Sequence, residues 1–258
     1  MVIEKVKGII LSETNYSESS KVLNVLTKEH GKIGVISKGC RNLKSKLRSV
    51  SMKFTYGYFN IYYKEDGLST LISVDVIDWF KEIKSDLNKI GYASYLLDLT
   101  NQVLKEASSD DIFDILEAAL LKIENGFDEA IITNIVELKY LYYLGVMPRL
   151  DCCSICGSSE SIVTISGDHG GYVCSSCYTN EYIVDPKTIK LLRMFYYVDI
   201  NKIKELNILD KNKKEINMFL EKYYDRYTGL YMKSKDFLKQ IGWSLKKRLF
   251  FIKFYYII

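Results

Sequence analysis

Two Cys-x-x-Cys turns limit this chain more than any other feature: Cys153-Ser-Ile-Cys156, seventeen residues, then Cys174-Ser-Ser-Cys177. Each turn brings two thiolates to one side of a metal ion, and two turns complete a tetrahedron at about 2.3 Å per bond. The two-plus-two spacing is that of a zinc ribbon, so Cys153, Cys156, Cys174 and Cys177 are expected to bind one structural zinc ion. Four sulfurs leave no position open for water, which makes the metal a brace and not the activator of a nucleophile. Gly157 and the Gly170-Gly171 pair let the backbone turn tightly around it.

The other cysteine readings fit less well. A single redox motif does not explain two matched pairs, and a secreted disulfide framework would spread its cysteines, whereas five of the six here crowd between 152 and 177. Cys152 is out of register with Cys156 and reads as a bystander, the alternative being that it takes the place of Cys153; His169, five residues before Cys174, reads as a loop residue and less well as a ligand.

The zinc segment interrupts a helical pattern and is preceded by a β pattern. Five short runs, Lys5–Leu11, Ser20–Thr27, Lys32–Lys38, Lys53–Tyr63 and Ser69–Asp78, are separated by turn residues, and Asp66-Gly67 suits a tight hairpin. Five antiparallel strands in 80 residues predict a small barrel of the OB-fold kind. From about Ser85 the apolar period becomes three to four: Leu87 to Val103, Ile112 to Ile123 and Ile131 to Tyr142 predict three amphipathic helices. A helix restarts at Asp185-Pro186, where Asp caps and Pro fits the first turn, and further helical stretches are expected at Ile200–Leu209, Lys213–Tyr227 and Lys235–Phe250. The expected class is therefore α+β: an OB-fold β-barrel over 1–80, an α-helical domain over 81–150 and 180–258, and an inserted four-Cys zinc module over 151–179.

The net charge of +4 conceals two regions of opposite sign. Lys32, Lys38, Arg41, Lys44, Lys46, Arg48 and Lys53 follow one another without an acidic residue, while 81–151 is rich in Asp and Glu. A one-sign cationic loop bordering a small barrel suits a nucleic-acid backbone. Tyr56, Tyr58, Phe59, Tyr62 and Tyr63 on the next strand offer aromatic faces, although most of an aromatic-rich strand in so small a barrel is core.

The opening Lys7-Gly8-Ile9-Ile10-Leu11, then Tyr16 to Val22, Thr27 to Lys32 and Ser37-Lys38-Gly39-Cys40-Arg41 form one series of matches. Gly145-Val146-Met147-Pro148 leading into the first Cys pair, Gly170 to Cys174, and Lys233 to Leu238 continue it. In that order they resemble the bacterial recombination mediator and DNA repair family RecO. The resemblance implies an N-terminal OB-fold, a helical domain and a zinc module, with binding of single- and double-stranded DNA and annealing of complementary strands. It also implies RecR and single-strand binding protein as partners, with help in loading RecA. By position, Lys38 and Arg41 resemble the family's DNA-contacting basic residues, with Lys44, Lys46 and Arg48 as looser additions. Cys40 departs from the small residue frequent there, and the apolar run Phe250–Ile258 is unusual.

No HExxH, P-loop or deaminase signature is present, and two histidines make a hydrolytic site a poor fit, so no catalytic residue and no enzyme activity is expected. The alternative is a zinc-stabilised, protein-binding adaptor without direct DNA contact. The amino terminus carries charges within its apolar run, unlike a signal peptide, and no run reaches the roughly 18 apolar residues of a membrane span. A cytoplasmic, nucleoid-associated protein is expected.

Overall fold

One long strand is shared between two partners. In the computed structural model, which describes residues 2–238, β1 (Val2–Asn15) pairs with β4 (Tyr56–Tyr63) along Val2–Ile9 and with β2 (Lys21–Thr27) along Gly8–Asn15. A register shift between Ile10 and Ser12 bends it from one partner to the other. At the overlap Gly8 has no room for a side chain: a Cβ would stand 2.8 Å from Cγ1 of Val25 and 3.2 Å from the Leu26 carbonyl oxygen. With β3 (Gly31–Ser37) and β5 (Ser69–Asp78), the strands close a barrel in the order β1-β2-β3-β5-β4, β3 and β5 running parallel. This is the OB-like arrangement expected from the strand pattern.

Two details of the strand reading are corrected. The fourth strand begins at Tyr56 and not Lys53, because Phe54 is held in the left-handed region at φ 71° with its ring buried. The turn at Asp66-Gly67 lies within the longer connection Lys64–Leu68 and is not a two-residue hairpin.

Inside the barrel Val6, Ile10, Leu23, Val25, Val35, Phe59, Ile61 and Leu71 form one core. Ile9 and Leu11 point the other way, as alternation requires. With Leu26, Phe54, Tyr56 and Phe80 they join the core of the helical part. That part comprises α1 (Lys81–Ser85), α2 (Leu87–Glu106), α3 (Asp110–Glu124), α4 (Glu129–Tyr143), α5 (Pro186–Tyr197) and α6 (Asp210–Tyr227). Asp86, Ser109, Asp128 and Asp185 cap α2, α3, α4 and α5 by accepting from backbone amides of the first turn. α4 is the axis: its side chains are buried almost continuously from Ile131 to Leu141, against α2, α3, α5 and α6.

A carboxylate is buried with it. Glu137 accepts from the Tyr95 hydroxyl at 2.5 Å, and its carbonyl accepts from the Tyr224 hydroxyl at 2.9 Å. Burial raises the Glu137 carboxyl above its usual range, opposed by the nearby charge of Lys235.

The helix expected over Ile200–Leu209 is a single 3-10 turn, Ile200–Lys202, followed by extended chain. Ile200, Ile203 and Ile208 are still buried, but the Ile203 carbonyl accepts from Lys122 Nζ at 2.5 Å, from α3, in place of a helical amide. The apolar spacing there reflects docking and not helical winding. The helix expected over Lys235–Phe250 beyond residue 238, and the run Phe250–Ile258, lie outside the described residues. No helix among the described residues is long and apolar enough to cross a membrane.

Candidate nucleic-acid interface and metal centre

Between β3 and β4 the chain makes the cationic excursion, and its backbone is fastened at both ends. At its start Gly39 N donates to Ser20 Oγ (3.3 Å), Arg41 N to the Ser19 carbonyl (2.9 Å), and Arg41 Nη1 to the Ser17 carbonyl (2.7 Å). At its end one carboxylate does the holding: Glu13 accepts from Lys53 N at 2.7 Å and from Lys21 Nζ at 2.8 Å, and the same ammonium lies 3.4 Å from the Ser51 carbonyl. Underneath, the hydroxyls of Ser37 and Ser51 meet at 2.7 Å in a buried pair, and Cys40 and Val50 are buried. The excursion is a formed element and not a loose loop, and Cys40 is part of its packing.

On this base Lys38, Arg41, Lys44, Lys46 and Arg48 are all exposed, and among the described residues none of them makes an ion pair. Three other cations of the barrel, Lys7, Lys28 and Lys53, are paired with carboxylates of the helices, whereas Lys5 pairs with Asp75 and Lys21 with Glu13 within the barrel. Lys7 pairs with Glu117 at 2.5 Å, beside the hydrogen bond that Tyr56 donates to the same carboxylate. Lys28 pairs with Asp114 at 2.9 Å, Lys53 with Asp98 at 3.2 Å, and Lys32 Nζ lies 3.3 Å from Asn101 Oδ1. The one-sign run in the sequence therefore divides in space: its two ends, Lys32 and Lys53, face α2, and its middle is open. Of the aromatic strand, Tyr56 and Phe59 are buried, Tyr63 stacks on His30 at 4.1 Å, and Tyr58 and Tyr62 are partly exposed.

Sequence reasoning missed the fastening. Glu13 lies 40 residues from Lys53, and Ser17 lies 24 from Arg41; nothing local signals either contact.

The candidate metal centre is built on a three-stranded sheet, β6 (Arg149–Cys153), β7 (Ile162–Ser166) and β8 (Gly171–Cys174), in the order β6-β8-β7. Gly171 is where β8 meets the chain arriving from α4: a Cβ there would lie 2.2 Å from the Arg149 carbonyl oxygen. The sheet brings Cys153, Cys156, Cys174 and Cys177 together with all four sulfurs within 4.8 Å of one another. Cys156 and Cys174 stand 3.6 Å apart, close to the roughly 3.8 Å edge of a tetrahedron with 2.3 Å metal–sulfur bonds. Each pair is wound by its own turn, Gly157 N to the Cys153 carbonyl and Cys177 N to the Cys174 carbonyl.

Burial opposes ionisation of Cys153, but backbone hydrogen bonds at Cys156, Cys174 and Ile155 outweigh it and bring that thiol down to about 6. The Cys177 thiol, hydrogen-bonded to Cys156 and then penalised by burial and by its other sulfur neighbours, is pushed up to about 12. One thiolate is favoured and a further one resisted, which a bound cation reverses. The donor set can hold a metal ion. Cys152 is outside the cluster, and His169 faces Glu181 at 3.2 Å instead.

The module is clipped to α5 and α6. Tyr172 donates to the Ile189 carbonyl at 2.6 Å, Tyr227 donates to the Asp168 carbonyl at 3.0 Å, and Lys222 pairs with the Asp168 carboxylate.

Family models match both parts of this architecture: "Recombination protein O N terminal" over residues 1–80 and "Recombination protein O C terminal" over 84–236. Among relatives named DNA repair protein RecO, that of Bacillus pumilus is 36% identical over 247 residues, covering 94% of this chain and 96% of the relative. That of Bacillus velezensis is 35% identical over 252 residues, covering 96% and 98%. That of Listeria monocytogenes is 32% identical over 243 residues, covering 93% and 95%. Barrel, helical body and four-thiol sheet fall in the order those matches span nearly end to end, and the chain belongs to the RecO family.

Proposed function

We propose that this chain is a DNA-binding recombination mediator that anneals complementary strands and, with RecR, assists RecA loading on DNA covered by single-strand binding protein. The observation that carries the reading is the open middle of the cationic excursion, five cations with no ion pair among the described residues on a fastened backbone, in a barrel where Lys7, Lys28 and Lys53 are held by acidic helices. Lys38, Arg41, Lys44, Lys46 and Arg48 hold phosphates. Neutralising phosphates on two strands lowers their mutual repulsion, so pairing proceeds without covalent chemistry and no catalytic residue is required. Arg41 has a second duty, since its guanidinium also holds Ser17. In this reading residues 1–80 engage DNA, 81–150 and 180–258 form the helical domain that meets protein partners, and 151–179 is a module in which zinc on Cys153, Cys156, Cys174 and Cys177 serves as a brace. The setting is the cytoplasm, at the nucleoid.

Fluorescence anisotropy with labelled single-stranded DNA across a salt series tests it. Affinity is expected to fall with a log–log slope of about −0.7 for each phosphate held. Lys44→Ala combined with Lys46→Ala is expected to flatten that slope by about 1.4. An unchanged slope and affinity would remove the excursion from the DNA site, and no binding even at low salt would leave the protein-binding adaptor.

A further inference from the structure

We propose that Tyr16 is a base-stacking residue, giving a single strand held by the cationic excursion a seat for one unpaired base. The inference rests on the excursion being the strand's phosphate track and adds what the phosphate track lacks, a contact to the bases.

The barrel register places the two segments side by side. Asn15 is the partner of Lys21, and Lys21 is the partner of Ser37, so three neighbouring strands end level at one end of the barrel. The next residue outward is Tyr16, just past the end of β1, and Lys38, just past the end of β3. Two strand spacings, about 10 Å, separate the strand ends Asn15 and Ser37 from which they leave. The connection that carries Tyr16 is closed by Tyr16 N donating to the Ser20 carbonyl at 3.1 Å, and it is tied to the excursion through the Arg41 bonds to Ser17 and Ser19. A strand lying along Lys38 and Arg41 therefore passes beside this ring.

The ring itself is free. Tyr16 is 63% exposed, and among the described residues its hydroxyl has no hydrogen bond and its ring no aromatic or cationic neighbour. The other aromatic rings of the barrel surface are less available. Tyr63 is stacked on His30, Tyr58 lies under Lys5 Nζ at 5.1 Å, and Trp79 lies under Lys84 Nζ at 6.0 Å; Tyr62 is without such a partner among the described residues but is 40% exposed against 63% for Tyr16, and it lies within β4 and not in the connection tied to Arg41. Loops at the end of an OB-like barrel, next to β2 and β3, are where unpaired nucleotides are held, and an aromatic face accepts any base. A tyrosine there distinguishes single strands from duplex, whose bases are already stacked.

The test compares wild type, Tyr16→Ala, Tyr16→Phe and the Lys44→Ala/Lys46→Ala pair on three ligands: oligothymidylate, an abasic strand with the same number of phosphates, and a duplex. Tyr16→Ala is expected to weaken oligothymidylate binding roughly five- to a hundredfold with its salt slope unchanged. Its binding to the abasic strand and to duplex is expected to match wild type, and Tyr16→Phe is expected to behave as wild type throughout. Circular dichroism checks that the exposed substitution leaves the fold intact. If Tyr16→Ala binds oligothymidylate as wild type does while the lysine pair still flattens the slope, the stacking role is overturned and the phosphate track stands. An equal loss on oligothymidylate and abasic strand, or a changed slope, overturns it as well, because the effect then runs through the shape of the excursion. If wild type binds none of the three ligands, the phosphate track fails and the stacking role with it.

Discussion

Glu137 is a carboxyl buried in the helical core, and its burial makes stability depend on pH. It lies on α4, accepts from the Tyr95 hydroxyl of α2, and is raised by burial. A carboxyl whose folded value lies above its unfolded one adds stability that is fully present below the unfolded value, near 4.5, and is lost as pH rises through the folded value. Glu137→Gln cannot ionise and is free of that loss. Urea unfolding at about pH 4 and about pH 8 should show the variant gaining on wild type at the higher pH. A stability difference that is the same at both would show that the side chain does not change its ionisation there. Lys235 faces the same carboxylate and limits the size of the effect.

At the scale of elements the metal module is separable in its effect. Its sheet is short, and tetrahedral closure of four thiolates contributes on the order of 10–16 kcal/mol to folding in comparable small sites. Metal analysis of the purified protein should return one equivalent of zinc. Its removal by a strong chelator, or Cys177→Ser, is expected to lower the melting temperature through loss of β6–β8 while changing affinity for single-stranded DNA less than about twofold, because the cationic excursion belongs to another element. A large loss of affinity on chelation would make the module part of the DNA surface. Elements of this kind were the legible part of the sequence. The Cys spacing announced the four-thiol cluster, alternation announced five strands, and Asp185-Pro186 announced the start of α5, since each is a pattern among near neighbours. The stretch after Val198 misled, because isoleucines docking an extended chain onto α3 carry the same spacing as a helix face. The brace from Glu13 and the division of the cations into held and open sets were illegible, because both depend on which strands and helices come to lie together.

The whole molecule is joined through apolar contact as well as through ion pairs. Ile9, Leu11, Leu26, Phe54, Tyr56 and Phe80 belong to the core of the helices. Salt screens Lys28–Asp114 and Lys53–Asp98, both partly exposed, but leaves that burial in place. Calorimetry should therefore show barrel and helical body melting in one transition at low and at high salt; two transitions, or a second appearing with salt, would mean that the charges and not the core hold them together.

The fastening of the cationic excursion by Glu13, Lys21 and Ser51 at one end and by Ser17, Ser19 and Ser20 at the other has a kinetic meaning. A strand that docks there meets a surface already in place, so little ordering entropy is lost on arrival. Encounter is then governed by long-range attraction, fast and steeply slowed by salt. If the excursion holds DNA as proposed, a strand would arrive fastest at low salt and leave more readily as salt rises.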